Sequence, residues 1–202
     1  MKILLPETIQ DITLDQYQRF EKLNTKLQDE DITVLEYNKK KIALLGGIPY
    51  HDIDKVSHKD LEEVMEQIDT ALSLETPFVQ RFKLDGIEFG FIPNFDTITN
   101  AEYFDLNKYG VEVDTLHNLM AILFRPIVKN SLNDYDIETY KGTGKYADAM
   151  KRVDMNTVRG AIVFFCNLST ELQNYIQKFT EAEQEKERKQ ETTLLNGVGI
   201  AH

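Results

Sequence analysis

The chain predicts an α+β fold in which helix predominates, with one antiparallel β-hairpin at about 78–92 and a long C-terminal helix. Three observations predict it. Apolar residues recur at helical spacing in several separate stretches, with capping residues in front of them. One stretch switches to strict alternation around an Asp-Gly pair. Near the end, an apolar stripe persists for about six turns.

The helical stretches come first. Thr13, with Gln16 three residues on, has capping-box spacing, and Tyr17, Phe20, Leu23 and Leu27 follow, which predicts a helix over 14–28. "TVLE" repeats the device at Thr33 and Glu36, for a helix over 34–45 that stops at Gly46-Gly47. "SHKD" does so again at Ser57 and Asp60. Leu61, Val64, Met65, Ile68 and Leu72 then mark the clearest amphipathic helix, over 58–73. The opening "KILL" is β-like and ends at Pro6.

After Pro77 the period becomes two. Phe78, Gln80, Phe82 and Leu84 share one face of the first arm, and Ile87, Phe89 and Phe91 continue in the second. Asp85-Gly86 between them is a two-residue turn whose central residues both need positive φ. "TITNAEYFDLNKYG" reads as a short helix. In "VDTLHNLMAILFRPI", Asp114 is the expected N-cap, Leu116, Leu119, Met120 and Leu123 form one face, and Pro126 is the expected stop. Tyr135–Tyr140 is a candidate strand and "KYADAMKRV" a short helix.

The final helix is expected to start at Asp154. Val158, Ala161, Ile162, Phe165, Leu168, Leu172, Tyr175, Ile176 and Phe179 make its stripe, and 161–166 should sit centrally in the core. Two divisions follow: a single α+β domain over 1–179, and a polar helical extension with a tail over 180–202. Leu194, Leu195, Val198 and Ile200 in that tail are apolar with little reason to remain in water. They are candidate partner-binding residues on a neighbouring chain.

The formal net charge is −11, from 23 basic and 34 acidic side chains. That excess works against binding DNA, RNA or an anionic membrane non-specifically. The six arginines are scattered, and the Lys151, Arg152 and Arg159 group is expected to pair with the acidic surplus. No stretch approaches the roughly 18 apolar residues of a membrane span, and "MKILLPETIQD" is not expected to act as a signal peptide. Cys166 is the one cysteine, so no disulfide within the chain is possible. It lies in "AIVFFCNL", where a buried small hydrophobe is expected.

The "KGTGK" run at 141–145 invites comparison with a phosphate loop. Aligned on Gly144-Lys145, that motif requires glycine at 139 and a small hydroxyl residue at 146. The chain has Thr139 and Tyr146. Gly142 and Gly144 then serve as hinges into the next helix, with Thr143 a candidate cap. His51, His58, His117 and His202 lack metal-ligand spacing, and His117 is expected on a helix face or interface. Glu88 fits an exposed strand face, and Glu102 and Asp105 lie three apart on a short helix. No cofactor or metal site is expected. Alanine changes at Glu88, Asp105 and His117 are the crude probes for a site of unrecognised type.

"RFKLDGIEFGFIPNFDTITNAEYFDL", then "LHNLMAILFRPIV", then "YDIETYKGTGKYADAMKRVDMNTVRGAIVFFCNL" resemble, in this order and spacing, a family of uncharacterised proteins of tailed bacteriophages. The family includes crAss-like phages of gut Bacteroidales. The similar stretch runs from about Phe78 to Leu168. The family often has glycine and tryptophan where this chain has Ala101 and Cys166. The resemblance implies a phage gene product, virion-associated or from the morphogenesis genes; the expected role is a non-enzymatic structural protein, made in the host bacterial cytoplasm and contacting other phage structural proteins or further copies of itself. A tail-assembly chaperone absent from the mature particle is the alternative. The resemblance carries over no catalytic or binding residue.

Overall fold

The computed structural model describes residues 6–130, 134–168 and 170. The chain divides into two compact units, 1–162 and 163–202. The first is a mixed α+β unit in which helices surround one four-stranded antiparallel sheet. The β-like start at 2–5 lies outside the described residues.

Three helices open the first unit: α1 (Leu14–Gln28), α2 (Val34–Leu45) and α3 (His58–Ser73). All three have the expected bounds because their caps form. The Thr13 hydroxyl accepts from the Gln16 backbone N–H, and the Gln16 side chain accepts from that of Thr13 at 2.9 Å. At α2 only half of the device forms. Thr33 accepts from the Glu36 N–H, but the Glu36 carboxylate turns to Lys40 at 2.6 Å. Ser57 caps α3 through the Asp60 N–H. Val64, Ile68 and Ala71 of α3, Ile42 and Leu45 of α2, and Leu14, Phe20 and Leu23 of α1 are buried.

The hairpin consists of β1 (Arg81–Leu84) and β2 (Ile87–Phe91), joined by Asp85 and Gly86 at φ 50° and 79°. Phe82 stacks on Phe89 across it, with centroids 5.5 Å apart. Helices α4 (Asn100–Tyr109) and α5 (Leu116–Leu123) follow. β3 (Phe124–Asn130) then returns beside β2, and β4 (Tyr135–Ile137) lies outside β3, for the order β1-β2-β3-β4. The aromatic face packs Phe124 edge-on to Phe82 and Phe91. The opposite face would be blocked were residue 90 anything but glycine. A Cβ there would lie 2.3 Å from the Tyr135 ring, whose hydroxyl donates to the Phe91 carbonyl at 2.7 Å.

Two expectations for 114–126 are corrected. Asp114 does not cap α5. It lies in a 3₁₀ turn (Val113–Thr115) that runs directly into the helix, and it pairs with Lys22 at 3.1 Å. Nor does Pro126 stop α5, which ends at Leu123. Proline disfavours helical conformation in the residue before it, and the segment becomes a strand instead. A strand residue's N and C=O point to the same edge. The Pro126 carbonyl accepts from the Glu138 N–H, so the missing donor faces β4, beyond the last β3–β4 pair at Ile127 and Ile137. The β2–β3 ladder is untouched. β4 also stops at Ile137 rather than Tyr140: the next residue of β3 is Pro126, which accepts from the Glu138 N–H but has no N–H to return.

A 3₁₀ turn (Thr143–Lys145) and α6 (Ala147–Met150) follow. Of the expected hinge glycines, Gly142 takes positive φ, at 91°, and Gly144 does not. Thr143 is buried and makes no cap. Residues 12–15 meet 151–155 through backbone bonds: Leu14 N–H to Val153, Asp15 N–H to Lys151 and Met155 N–H to Ile12. Helix starts at 155, with Asp154 capping it through the Thr157 N–H at 2.9 Å. Met155, Val158 and Ala161 are buried there.

The second unit is described only at 163–168 and 170, which are helical. Ala161 is buried as expected, but Val163, Phe164 and Cys166 are exposed, which corrects the expected core position at these three residues and the expected burial of Cys166. The remainder of the expected long helix, and Leu194, Leu195, Val198 and Ile200, lie outside the described residues.

Candidate functional site

Two places in the first unit bring unusual chemistry together. The first is a buried charge pair. Thr99 and Glu102 form a full capping box at the start of α4, with Glu102 Oε2 accepting from the Thr99 N–H and hydroxyl at 2.7 Å each. The other oxygen, Oε1, pairs with Arg125 Nη2 of β3 at 2.5 Å. Glu102 is 3% exposed and Arg125 7%. One carboxylate therefore fastens the start of a helix to the middle of the sheet. The Tyr140 ring lies 5.6 Å from the guanidinium carbon, and its hydroxyl donates to Asp105 at 2.5 Å. Burial first, and that bond second, push the Tyr140 hydroxyl well above the usual phenol range. A cavity of about 240 Å³ adjoins the cluster.

The second is an open groove of about 610 Å³ between α2 and α3. Ile42 and Ile53 form its floor, and Leu35, Val56, Leu61 and Met65 its apolar sides. A Lys39–Asp54 ion pair at 2.5 Å, His58 and Glu62 supply its polar rim. Val34 and Leu35, at the first turn of α2, are 64% and 67% exposed.

The residues singled out from sequence are scattered among other tasks. His117 on α5 sits beside α1. The Gln18 amide donates to the Val113 carbonyl at 2.6 Å, and its nitrogen lies 3.2 Å from His117 Nδ1. The other ring nitrogen, Nε2, lies 3.1 Å from the Asn118 amide nitrogen, so a side-chain amide faces each side of the ring. Burial, then the Lys151 charge, hold its pKa below the usual histidine value. Glu88 is half-buried on β2, not fully exposed. Asp105 serves Tyr140. Lys145 of the "KGTGK" run bonds Glu138 at 2.7 Å, and the Tyr146 hydroxyl donates to the same carboxylate. Lys145 and, after it, Tyr146 hold Glu138 below the usual carboxylate range. In the basic group, Lys151 pairs with Asp148 at 2.8 Å and Arg152 with Asp85. Arg159 instead donates to the Leu72 carbonyl at 2.6 Å. Among the described residues no three His, Cys, Asp or Glu side chains are grouped to hold a metal, and no helix is long and apolar enough to cross a membrane.

The Glu102–Arg125 pair was missed from sequence, although two signals for it exist. "TNAE" has capping-box spacing, and Arg125 interrupts the apolar run "LMAILFRPIV" where an unpaired charge has no reason to sit. Comparison with family models, curated proteins and solved structures finds no match.

Proposed function

We propose that this chain is a non-enzymatic structural protein of a tailed bacteriophage, carried in the virion as a head, neck or tail component or as packaged cargo, and acting through protein–protein contacts. The resemblance over 78–168 supports the phage context. The observation that carries the mode of action is the α2–α3 groove. It is apolar on its floor and sides, and Val34 and Leu35 stand exposed beside it. A protein that works alone has little use for such a surface, whereas contact with a partner buries it.

In this reading the helix that begins at 155 continues to about 179. Leu194, Leu195, Val198 and Ile200 contact other phage structural proteins or a second copy. The chain is made in the host cytoplasm and ends in the particle. Mass spectrometry of purified virions tests this: the protein should be present at a fixed copy number. Its absence from particles, with abundance in infected cells, would sink the virion assignment and favour a tail-assembly chaperone, which the acidic, largely helical character also suits. Val34→Asp with Leu35→Asp should reduce incorporation without unfolding the chain.

A further inference from the structure

The groove between α2 and α3 is open, and its walls restrict the shape of what fills it. Those walls are helices, whose backbone groups bond within the helix. An extended peptide laid there finds no ladder to join, and its own N–H and C=O groups face apolar side chains. A helix brings its backbone bonds with it. Leu35 and Ile42 lie about two turns apart on α2, and Leu61 and Met65 about one turn apart on α3. Apolar residues of a helix at i, i+3 or i+4, and i+7 repeat over the same length. The groove, at about 610 Å³, is within the roughly 300–1,000 Å³ of ordinary ligand pockets, which leaves room for a few such side chains.

The rim restricts the charge of that helix. Every lysine between residues 29 and 69 already pairs with a carboxylate, Lys39 with Asp54 on the rim among them, and no arginine lies in this stretch. Carboxylates are left over. Glu62, on the rim, has only His58, at 3.7 Å. Among the described residues Glu66, one turn further along α3, pairs with no cation, nor do Asp29, Glu30 and Asp31, in the turn that leads to Leu35. All five are exposed. A lysine or arginine brought there has no resident cation to displace, whereas a glutamate or aspartate meets repulsion.

We propose that the α2–α3 groove docks an amphipathic helix of a partner protein, with its apolar face in the groove and lysine or arginine beside it, on the rim carboxylates. The inference rests on the groove being a partner-binding surface and adds the shape and charge of the segment that fills it.

The test uses the full chain labelled with ¹³C at its methionine methyl groups, with the Met65 signal assigned by its loss in Met65→Leu. Three fluorescent peptides of about 15 residues are titrated into it. One has a leucine stripe bordered by lysines, the second has the same stripe bordered by glutamates, and the third is the lysine peptide with serine for leucine. The leucine–lysine peptide should bind saturably and shift the Met65 signal, with a Kd at least about tenfold below that of either other peptide. Glu62→Lys with Glu66→Lys, both at exposed positions, should bring the two leucine peptides to within about threefold of each other. Equal binding of the glutamate peptide to wild type overturns the charge assignment. Equal binding of the serine peptide means attraction to the acidic surface alone and overturns the groove. A Met65 signal that moves with protein concentration before any peptide is added gives the groove to a second copy and overturns the partner helix. No binding of any peptide overturns the docking site. If Val34→Asp with Leu35→Asp still lowers virion incorporation in that last case, the partner surface stands and only its helical occupant falls.

Discussion

The helical region over 14–73 and the sheet region over 78–162 both carry surface ion pairs, but only the sheet region, among the described residues, buries both partners of one. In the helical region, ion pairs lie at the surface or are half-exposed. Lys41 is 6% exposed, but its partner Asp69, at 2.5 Å, is 59% exposed and shares its charge with water. In the sheet region, Glu102 and Arg125 are both out of water and each depends on the other. The difference teaches that equal ion-pair distances carry unequal consequences. A pair with one wet partner tolerates the loss of the other, whereas a pair with none does not.

The largest expected effect follows from that contrast. Arg125→Ala should cost about 3–5 kcal/mol in urea unfolding, because it strands the Glu102 carboxylate. Arg125→Met with Glu102→Met should recover much of the loss, as no charge is then buried. Lys41→Met in the helical region should cost only about 1 kcal/mol, because the Asp69 carboxylate it leaves behind is in water. Equal losses at the two sites would break the comparison. Next in size is Gly90→Ala. Its Cβ would meet the Tyr135 ring at 2.3 Å, and overpacking of this kind costs about 1–3 kcal/mol. Tyr135→Ala added to it should relieve the clash, although the bond to the Phe91 carbonyl is lost. A cost in the double variant smaller than the sum of the two single costs, by urea midpoint, checks this.

Cap removal sharpens the comparison further. Thr33→Ala should cost about 1 kcal/mol, since only the Glu36 N–H loses its acceptor. Thr99→Ala should cost more, because the Thr99 hydroxyl also positions the carboxylate that holds Arg125. Thermal melts of the two variants side by side decide it.

The smallest effect is pH-dependent. The His117 pKa is lower in the folded chain than in the unfolded one, so the unfolded state binds the proton more readily. The stability is present above the ordinary histidine pKa of about 6.5 and is lost as pH falls below it towards the folded value. Protonation also makes both ring nitrogens donors, each against a side-chain amide nitrogen, of Gln18 and of Asn118. His117→Gln should flatten the fall in urea midpoint between about pH 7 and pH 5, relative to wild type.

The two regions also differ in how much of them could be read beforehand. α1, α2 and α3 were legible to the residue, because a hydroxyl cap, a following amphipathic period and a glycine or polar stop all act within a few residues of one another. The hairpin was legible for the same reason, through Asp85-Gly86. β3 was not. Its signal was a proline after an apolar helix, and proline reads as a stop whether the chain then loops or enters a strand. Asp114 failed as a cap because a 3₁₀ turn occupied the place where a helix start was expected. The expected burial failed at Val163, Phe164 and Cys166, because apolar composition cannot say which positions of a helix are covered. Glu102 and Arg125 lie 23 positions apart, and no local pattern joins them.

By itself the sequence determined the local elements: three capped helices, a two-residue turn, an acidic surface balance, and the absence of any second thiol for a disulfide within the chain. Each follows from contacts within a turn or two of the backbone. Only the tertiary structure decided that β3 continues from α5, that Gly90 makes room for Tyr135, that residues 12–15 bond to 151–155, and that one carboxylate ties α4 to the sheet. These depend on which distant residues meet, and that is settled by the joint packing of many side chains rather than by any one stretch.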